Sequence, residues 1–215
     1  MFRHALVALL GITLVVYVSG HGRLMDPPNR SSVWRVPEFA HLSPPANYND
    51  NELFCGGAGV QHGQNGGRCG ECGDAYHLPR PRANEGGGNY ARGIIVRNYR
   101  KGQTVDIDVD LTTSHKGYFQ FRLCDNGRNG VPEEQSCFDR NLLQLEQGGT
   151  NFPITGPSGH YYPKVKLPQG VTCSHCVLQW HYVAGNNWGD CGNGTQAPGC
   201  GPQETFRGCS DISIQ

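Results

Sequence analysis

The chain has 215 residues and balances 18 Lys and Arg against 18 Asp and Glu, with no basic stripe or acidic tail, so nucleic acid and anionic membranes are excluded as electrostatically driven partners. Its 31 Gly and 14 Pro exclude a helical protein, because turns interrupt every window in which an apolar stripe at 3.6-residue spacing would have to run. A surface of this charge balance suits a neutral substrate.

At the start of the chain, Arg3 and His4 precede an apolar stretch from Ala5 to Val18, followed by Ser19 and Gly20. This reads as a secretory signal over residues 1–20. The stretch is too short for a bilayer, which takes about 20 residues. No later apolar run acts as a stop or anchor. The expectation is a secreted, extracellular, monomeric protein of one domain over residues 21–215, with no membrane partner.

From His21 to Gly88 there is little alternation and much Pro, Asn and Gly, the pattern of long loops. Strands are predicted over Gly93–Tyr99, Gln103–Leu111, Gly117–Leu123, Tyr162–Leu167, Val177–Val183 and Asp211–Ile214, each β-branched or aromatic and bounded by turn formers. The clearest is Gln103–Leu111, where Val105, Ile107, Val109 and Leu111 alternate with Thr104, Asp106, Asp108 and Asp110, so that an acidic face is left to solvent. Period two also turns both Trp180 and Tyr182 toward the core. Short strands without intervening helices predict an all-β fold, an immunoglobulin/fibronectin III-like β sandwich with long disulfide-tied loops.

All ten cysteines, Cys55, Cys69, Cys72, Cys124, Cys137, Cys173, Cys176, Cys191, Cys200 and Cys209, lie beyond the signal, and an even count in an exported chain reads as a disulfide framework whose pairing the sequence leaves open. Cys69-x-x-Cys72 and Cys173-x-x-Cys176 have the spacing of zinc ligands, but about 100 residues separate them and an oxidising compartment favours bridges over thiolates. Sequons at Asn29 and Asn193 are compatible with N-glycosylation.

Cleavage after Gly20 would leave His21 with a free α-amine, so that one residue offers two nitrogens, the amine and the imidazole Nδ1, to close a chelate ring. The amine titrates at about pH 8 and sheds its proton to a competing metal, and Cu(II) heads the affinity series for such nitrogens. One copper ion per chain is the expectation.

The run His21-Gly22-Arg23-Leu24-Met25-Asp26-Pro27-Pro28-Asn29-Arg30 resembles the start of the lytic polysaccharide monooxygenases, and most closely the arthropod-type group, auxiliary activity family fifteen, which is similar to the chitin-binding type 4 domains. The resemblance continues in family order through Tyr48–Gly57, Cys69–Asp74, Thr112–Phe119 and Gln203–Asp211. It implies a histidine brace, with His115 adding a third nitrogen to the two of His21, and it sets Phe206 at the family's axial aromatic position. Phe cannot ligate. Where many relatives carry Ala beside the copper this chain has Thr113, a departure expected to tune the metal's surroundings.

The resemblance further implies a flat face formed in part by Trp34, Asn47 and Tyr48. It implies oxidative cleavage of β-1,4 bonds in a crystalline polysaccharide, chitin first and cellulose second, with an external electron donor and peroxide or dioxygen. The rival readings are a non-catalytic chitin-binding cuticle protein and a copper carrier. The other histidines, at 41, 62, 77, 160, 175 and 181, are read as structural or surface residues.

Overall fold

A computed structural model describes residues 21–125, 127 and 130–215; residues 1–20, which the sequence reads as a secretory signal, lie outside the described residues. The strands run in chain order as β1 (His21–Asp26), β2 (Arg97–Tyr99), β3 (Thr104–Asp106), β4 (Asp108–Thr113), β5 (Tyr118–Cys124), β6 (Gln144–Leu145), β7 (Phe152–Pro153), β8 (Gly159–Tyr161), β9 (Lys164–Lys166), β10 (Cys173–Val183), β11 (Trp188–Asp190), β12 (Gln196–Pro198) and β13 (Thr205–Ile214). One five-residue helix, α1 (Gln135–Asp139), comes after β5, and short helical turns at Val33–Arg35, Pro37–Leu42 and Gly59–Gln64 punctuate the early loops. Among the described residues no helix is long and apolar enough to cross a membrane.

The strands form a β sandwich. One layer is a five-stranded sheet ordered β2-β13-β10-β5-β7, and against it lie two three-stranded sheets, β1-β4-β8 and β3-β9-β6. The strand predicted over Gln103–Leu111 is therefore two strands. Its apolar alternation holds throughout, but the backbone changes partners at Ile107, whose N–H goes to Pro163 O (2.9 Å), so β3 pairs with β9 while β4 pairs with β1 and β8. The acidic face is also less solvated than the alternation suggests, because Asp110 binds Arg23 (2.8 Å) and Asp108 binds His160 (2.7 Å).

The core fills the space between layers with Leu24, Val109 and Leu111 from one side and Phe119, Phe121, Trp180 and Tyr182 from the other. Phe119 meets Trp180 and Tyr182 edge to face, with centroids 5.5 and 5.1 Å apart, the arrangement that ring quadrupoles favour.

β10 and β13 are longer than predicted, and their outer faces are also covered, which is why alternation understated them. The cover is the loop-rich segment after β1. From it Arg30 reaches β13 and makes two bonds to Asp211 (2.9 and 2.6 Å) while also holding Glu133 (2.7 Å). All three side chains are buried, and the guanidinium, with His175, holds the Asp211 carboxyl below the usual carboxylate range despite the opposing effect of burial.

The sequence predicts loops for the early segment, yet it opens on a strand. β1 was not visible in the pattern because Gly22 and Arg23 replace the expected apolar alternation, and its pairing to β4 carries two register irregularities. Buried Asp50 organises the loops beyond β1, accepting hydrogen bonds from Arg23 (2.9 Å), Ser32 (2.8 Å) and Arg35 (2.6 Å).

All ten cysteines pair, as Cys55–Cys69, Cys72–Cys209, Cys124–Cys137, Cys173–Cys176 and Cys191–Cys200. The two CxxC motifs are accordingly not thiolate pairs. Of the two sequons, Asn193 lies exposed in the turn between β11 and β12, whereas Asn29 is only 1% exposed and packs its amide against Gly208. The folded chain has no room for a glycan on Asn29, which corrects that expectation.

Candidate metal centre

The antiparallel register of β1 and β4 makes His21 the direct partner of Thr113. Two residues further on, His115 lies in the reversal that returns the chain into β5, where Lys116 (φ 55) and Gly117 (φ 85) take up left-handed backbone. Glycine is required at 117, since a Cβ there would sit 2.0 Å from the carbonyl oxygen of Val183. Strand pairing and this tight turn bring the two histidines to one end of the sandwich. They are close enough that a charge on His21 is felt at His115.

The backbone of His115 is held from both sides. Its N–H donates to the Tyr182 hydroxyl (3.0 Å), that hydroxyl donates to Lys116 O (2.8 Å), and His115 O accepts from Gly185 N–H (2.9 Å). Burial pushes the Tyr182 phenol up to about 12, so it stays protonated and keeps its donor role. The His115 ring is 6% exposed. Burial lowers its pKa, against the pull of Glu204, and a neutral ring is the form that can ligate a metal.

The two ring nitrogens of His115 differ. Nδ1 lies 3.0 Å from the Asn186 amide and 3.8 Å from Glu204 Oε2, while Nε2 is buried without a hydrogen-bond partner. Such an atom carries a desolvation cost that a bound ligand would remove. With Nε2 turned to a metal, Nδ1 carries the proton, and Asn186 can present its carbonyl oxygen because the amide fits either way round.

For His21, Nε2 lies 3.3 Å from Glu52 Oε1, so the contact with Glu52 is made by Nε2 and not by Nδ1. Gly22 is needed beside it. A Cβ there would meet Leu111 Cδ2 at 2.6 Å and the Trp180 ring at 3.3 Å, and Gly22 N–H bonds Asn51 O (2.9 Å), tying the strand to the loop that carries Glu52. Among the described residues no three His, Cys, Asp or Glu side chains converge on a metal-sized site. Two imidazoles and a terminal amine would form a site of a different kind, with only two side chains.

Phe206 is fully buried and stacks between Tyr182 (5.4 Å) and Phe54 (6.1 Å). It lies on β13 two positions after Glu204, it packs on the Tyr182 ring whose hydroxyl holds His115, and its side chain has no donor atom. Thr113 is half-buried next to His21. Tyr48 is 79% exposed and meets Trp34 edge to face at 5.1 Å, with the Arg35 guanidinium 4.3 Å over the Trp34 ring and Trp34 Nε1–H donating to Asn47 O (3.2 Å).

Four contributors carried no signal of their own in the sequence. Glu52 and Glu204 lie inside the resembling blocks but at no diagnostic spacing, Tyr182 reads as core, and Asn186 lies outside every predicted strand and every resembling block.

Two comparisons with known proteins give the class of the chain. A family model described as lytic polysaccharide mono-oxygenase, cellulose-degrading, matches residues 21–212. The chain belongs to this family of copper-dependent monooxygenases, which act on polysaccharides with an external reductant. A solved structure places it more narrowly in the arthropod-type group: an AA15 lytic polysaccharide monooxygenase from Thermobia domestica, in the Cu(I) state, is 52% identical, with a TM-score of 0.86 over 90% of this chain and 98% of that one. A search of curated proteins finds no match.

Proposed function

We propose that His21 and His115 hold one copper ion, His21 through its α-amine and Nδ1 and His115 through Nε2. The observation that carries this is the unpartnered, buried Nε2 of His115 at the end of β4 where His21 begins β1. The amine exists only once residues 1–20 are removed. The family match beginning at His21 supports that cut and a single domain over 21–215; the apolar leader and the even cysteine count support a secreted, extracellular protein, read as a monomer.

Copper bound there supplies the redox chemistry that breaks a β-1,4-linked chain, driven by an external electron donor with peroxide or dioxygen. The residues around it do the rest. Tyr182 fixes the backbone of His115, Glu204 and Asn186 take the Nδ1 side of its ring, and Glu52 orients His21. Phe206 would present an apolar ring to a bound copper, and Thr113, paired with His21, would tune its surroundings.

Tyr48, exposed and braced edge to face by Trp34, offers its ring to a sugar. Chitin is the first substrate, from the resemblance to arthropod-type enzymes; cellulose, which the family description names, is the second.

The test is to incubate copper-loaded protein bearing a native His21 terminus with β-chitin or cellulose and a reductant, and to look for oxidised oligosaccharides by mass spectrometry. Products from chitin that vanish in His115→Ala are expected. Tight copper binding with no oxidised product from either polymer would move the reading to copper handling.

A further inference from the structure

We propose that Trp188 is a second sugar-stacking residue, set on the His115 side of the site as Tyr48 is on the His21 side, and that it binds the apolar face of a pyranose ring in the β-1,4-linked polymer. The inference rests on the reading of this end of the sandwich as a polysaccharide-oxidising face.

Trp188 is 66% exposed, an unusual state for the largest apolar side chain, and its position is built rather than incidental. It opens the hairpin of β11 and β12, whose register pairs Trp188 with Pro198 and Asp190 with Gln196. Successive residues of a strand face opposite ways, so these four share one face and Gly189 and Ala197 point to the other. The Gly189 side is closed, since a Cβ there would lie 2.2 Å from Cys200 O and 2.8 Å from Gly201 Cα. The indole is therefore on the open side of the hairpin. Its Nε1–H donates to Gln196 Oε1 (3.1 Å), which satisfies the ring's polar edge and fixes its orientation while the ring remains accessible.

The hairpin is also held firmly at its base. The Cys191–Cys200 bridge closes it, and Gln203, itself buried, accepts from Asn187 N–H (3.0 Å) and donates to Asn187 O (3.1 Å) and Cys200 O (2.6 Å). Immediately before it, Gly185 N–H bonds His115 O and Asn186 contacts His115 Nδ1. Only one residue separates Asn186 from Trp188, a reach of at most about 7 Å between Cα atoms. On the other side, three residues separate Tyr48 from Glu52, which contacts His21. Each histidine thus has an exposed aromatic close by in its supporting loop.

A rigid, exposed indole with a satisfied N–H loses little conformational freedom on binding, and it matches the C–H face of a neutral, equatorially linked sugar while the sugar's hydroxyl rim stays hydrated.

The experiment measures adsorption isotherms of copper-loaded wild type, Trp188→Ala and Trp188→Tyr on β-chitin and on microcrystalline cellulose without reductant, with peroxide formation from reductant alone as a measure of the site's integrity. Trp188→Ala should adsorb about tenfold more weakly to the polymer that wild type prefers, with peroxide formation unchanged and Trp188→Tyr retaining most of the binding. Undiminished adsorption of Trp188→Ala would overturn the inference while leaving the polysaccharide reading intact. A parallel loss of peroxide formation would overturn it by assigning the residue to site integrity. Failure of wild type to adsorb to either polymer would overturn both.

Discussion

The Tyr182 hydroxyl bridges two consecutive residues of the histidine turn, accepting from His115 N–H at 3.0 Å and donating to Lys116 O at 2.8 Å. A core aromatic thereby sets the position of a surface loop. Tyr182→Phe keeps the stacking on Phe206 but leaves a buried N–H without a partner, at a cost of about 1–3 kcal/mol. Thermal unfolding should shift down by about 2–4 °C per kcal/mol. Copper affinity, read by calorimetric titration, should fall as well. An unchanged affinity would show that the turn is fixed without the hydroxyl.

Arg30 pairs two buried carboxylates at once. Arg30→Met strands both Asp211 and Glu133 and should cost about 3–5 kcal/mol in denaturant unfolding at neutral pH. The sign of its pH dependence is set by Asp211. A carboxyl whose folded pKa is depressed contributes stability above its unfolded value of 3.8, and that contribution is lost as pH falls through the folded value. The difference between wild type and variant should therefore narrow below about pH 4. A gap that is constant from pH 3 to 7 would contradict this.

Glu71 behaves in the opposite way. Burial and a hydrogen bond with Glu85 push its carboxyl up to about 7. A raised acid binds a proton in the folded state that it would release on unfolding, so its contribution is complete below its unfolded value of 4.5 and is lost as pH rises through 7. Glu71→Gln, which keeps a donor toward Glu85, should flatten the decline in stability between pH 5 and 7.5, read as urea midpoints. Equal slopes in the two proteins would rule this titration out.

The five bridges should contribute unequally. Cys72–Cys209 closes a separation of 137 residues and joins the early loops to β13, and loop-closure entropy gives it about 5 kcal/mol. Cys173–Cys176 spans 3 residues and should contribute under about 2 kcal/mol. Paired Cys→Ala variants compared by denaturant unfolding would test the ranking, which equal losses would refute.

Much of this protein was legible in the sequence because the signals are local. Period-two alternation at Val105–Leu111 and the aromatic pair Trp180 and Tyr182 mark inward faces, since a strand's pleat fixes side-chain direction whatever its partners are. Ten cysteines beyond an apolar leader predicted bridges, and a histidine at the expected cleavage point, with the family's motif blocks arranged in order after it, pointed to the copper monooxygenases. Only the tertiary structure decided what depends on distant partners: which cysteines pair, that the alternating strand splits between two sheets at Ile107, and that Asn29 is enclosed. The surroundings of the two histidines belong to the same class. Glu52, Tyr182, Asn186 and Glu204 reach them from three separate stretches of chain, and no spacing along the sequence encodes a meeting that strand register and a left-handed turn at Gly117 bring about.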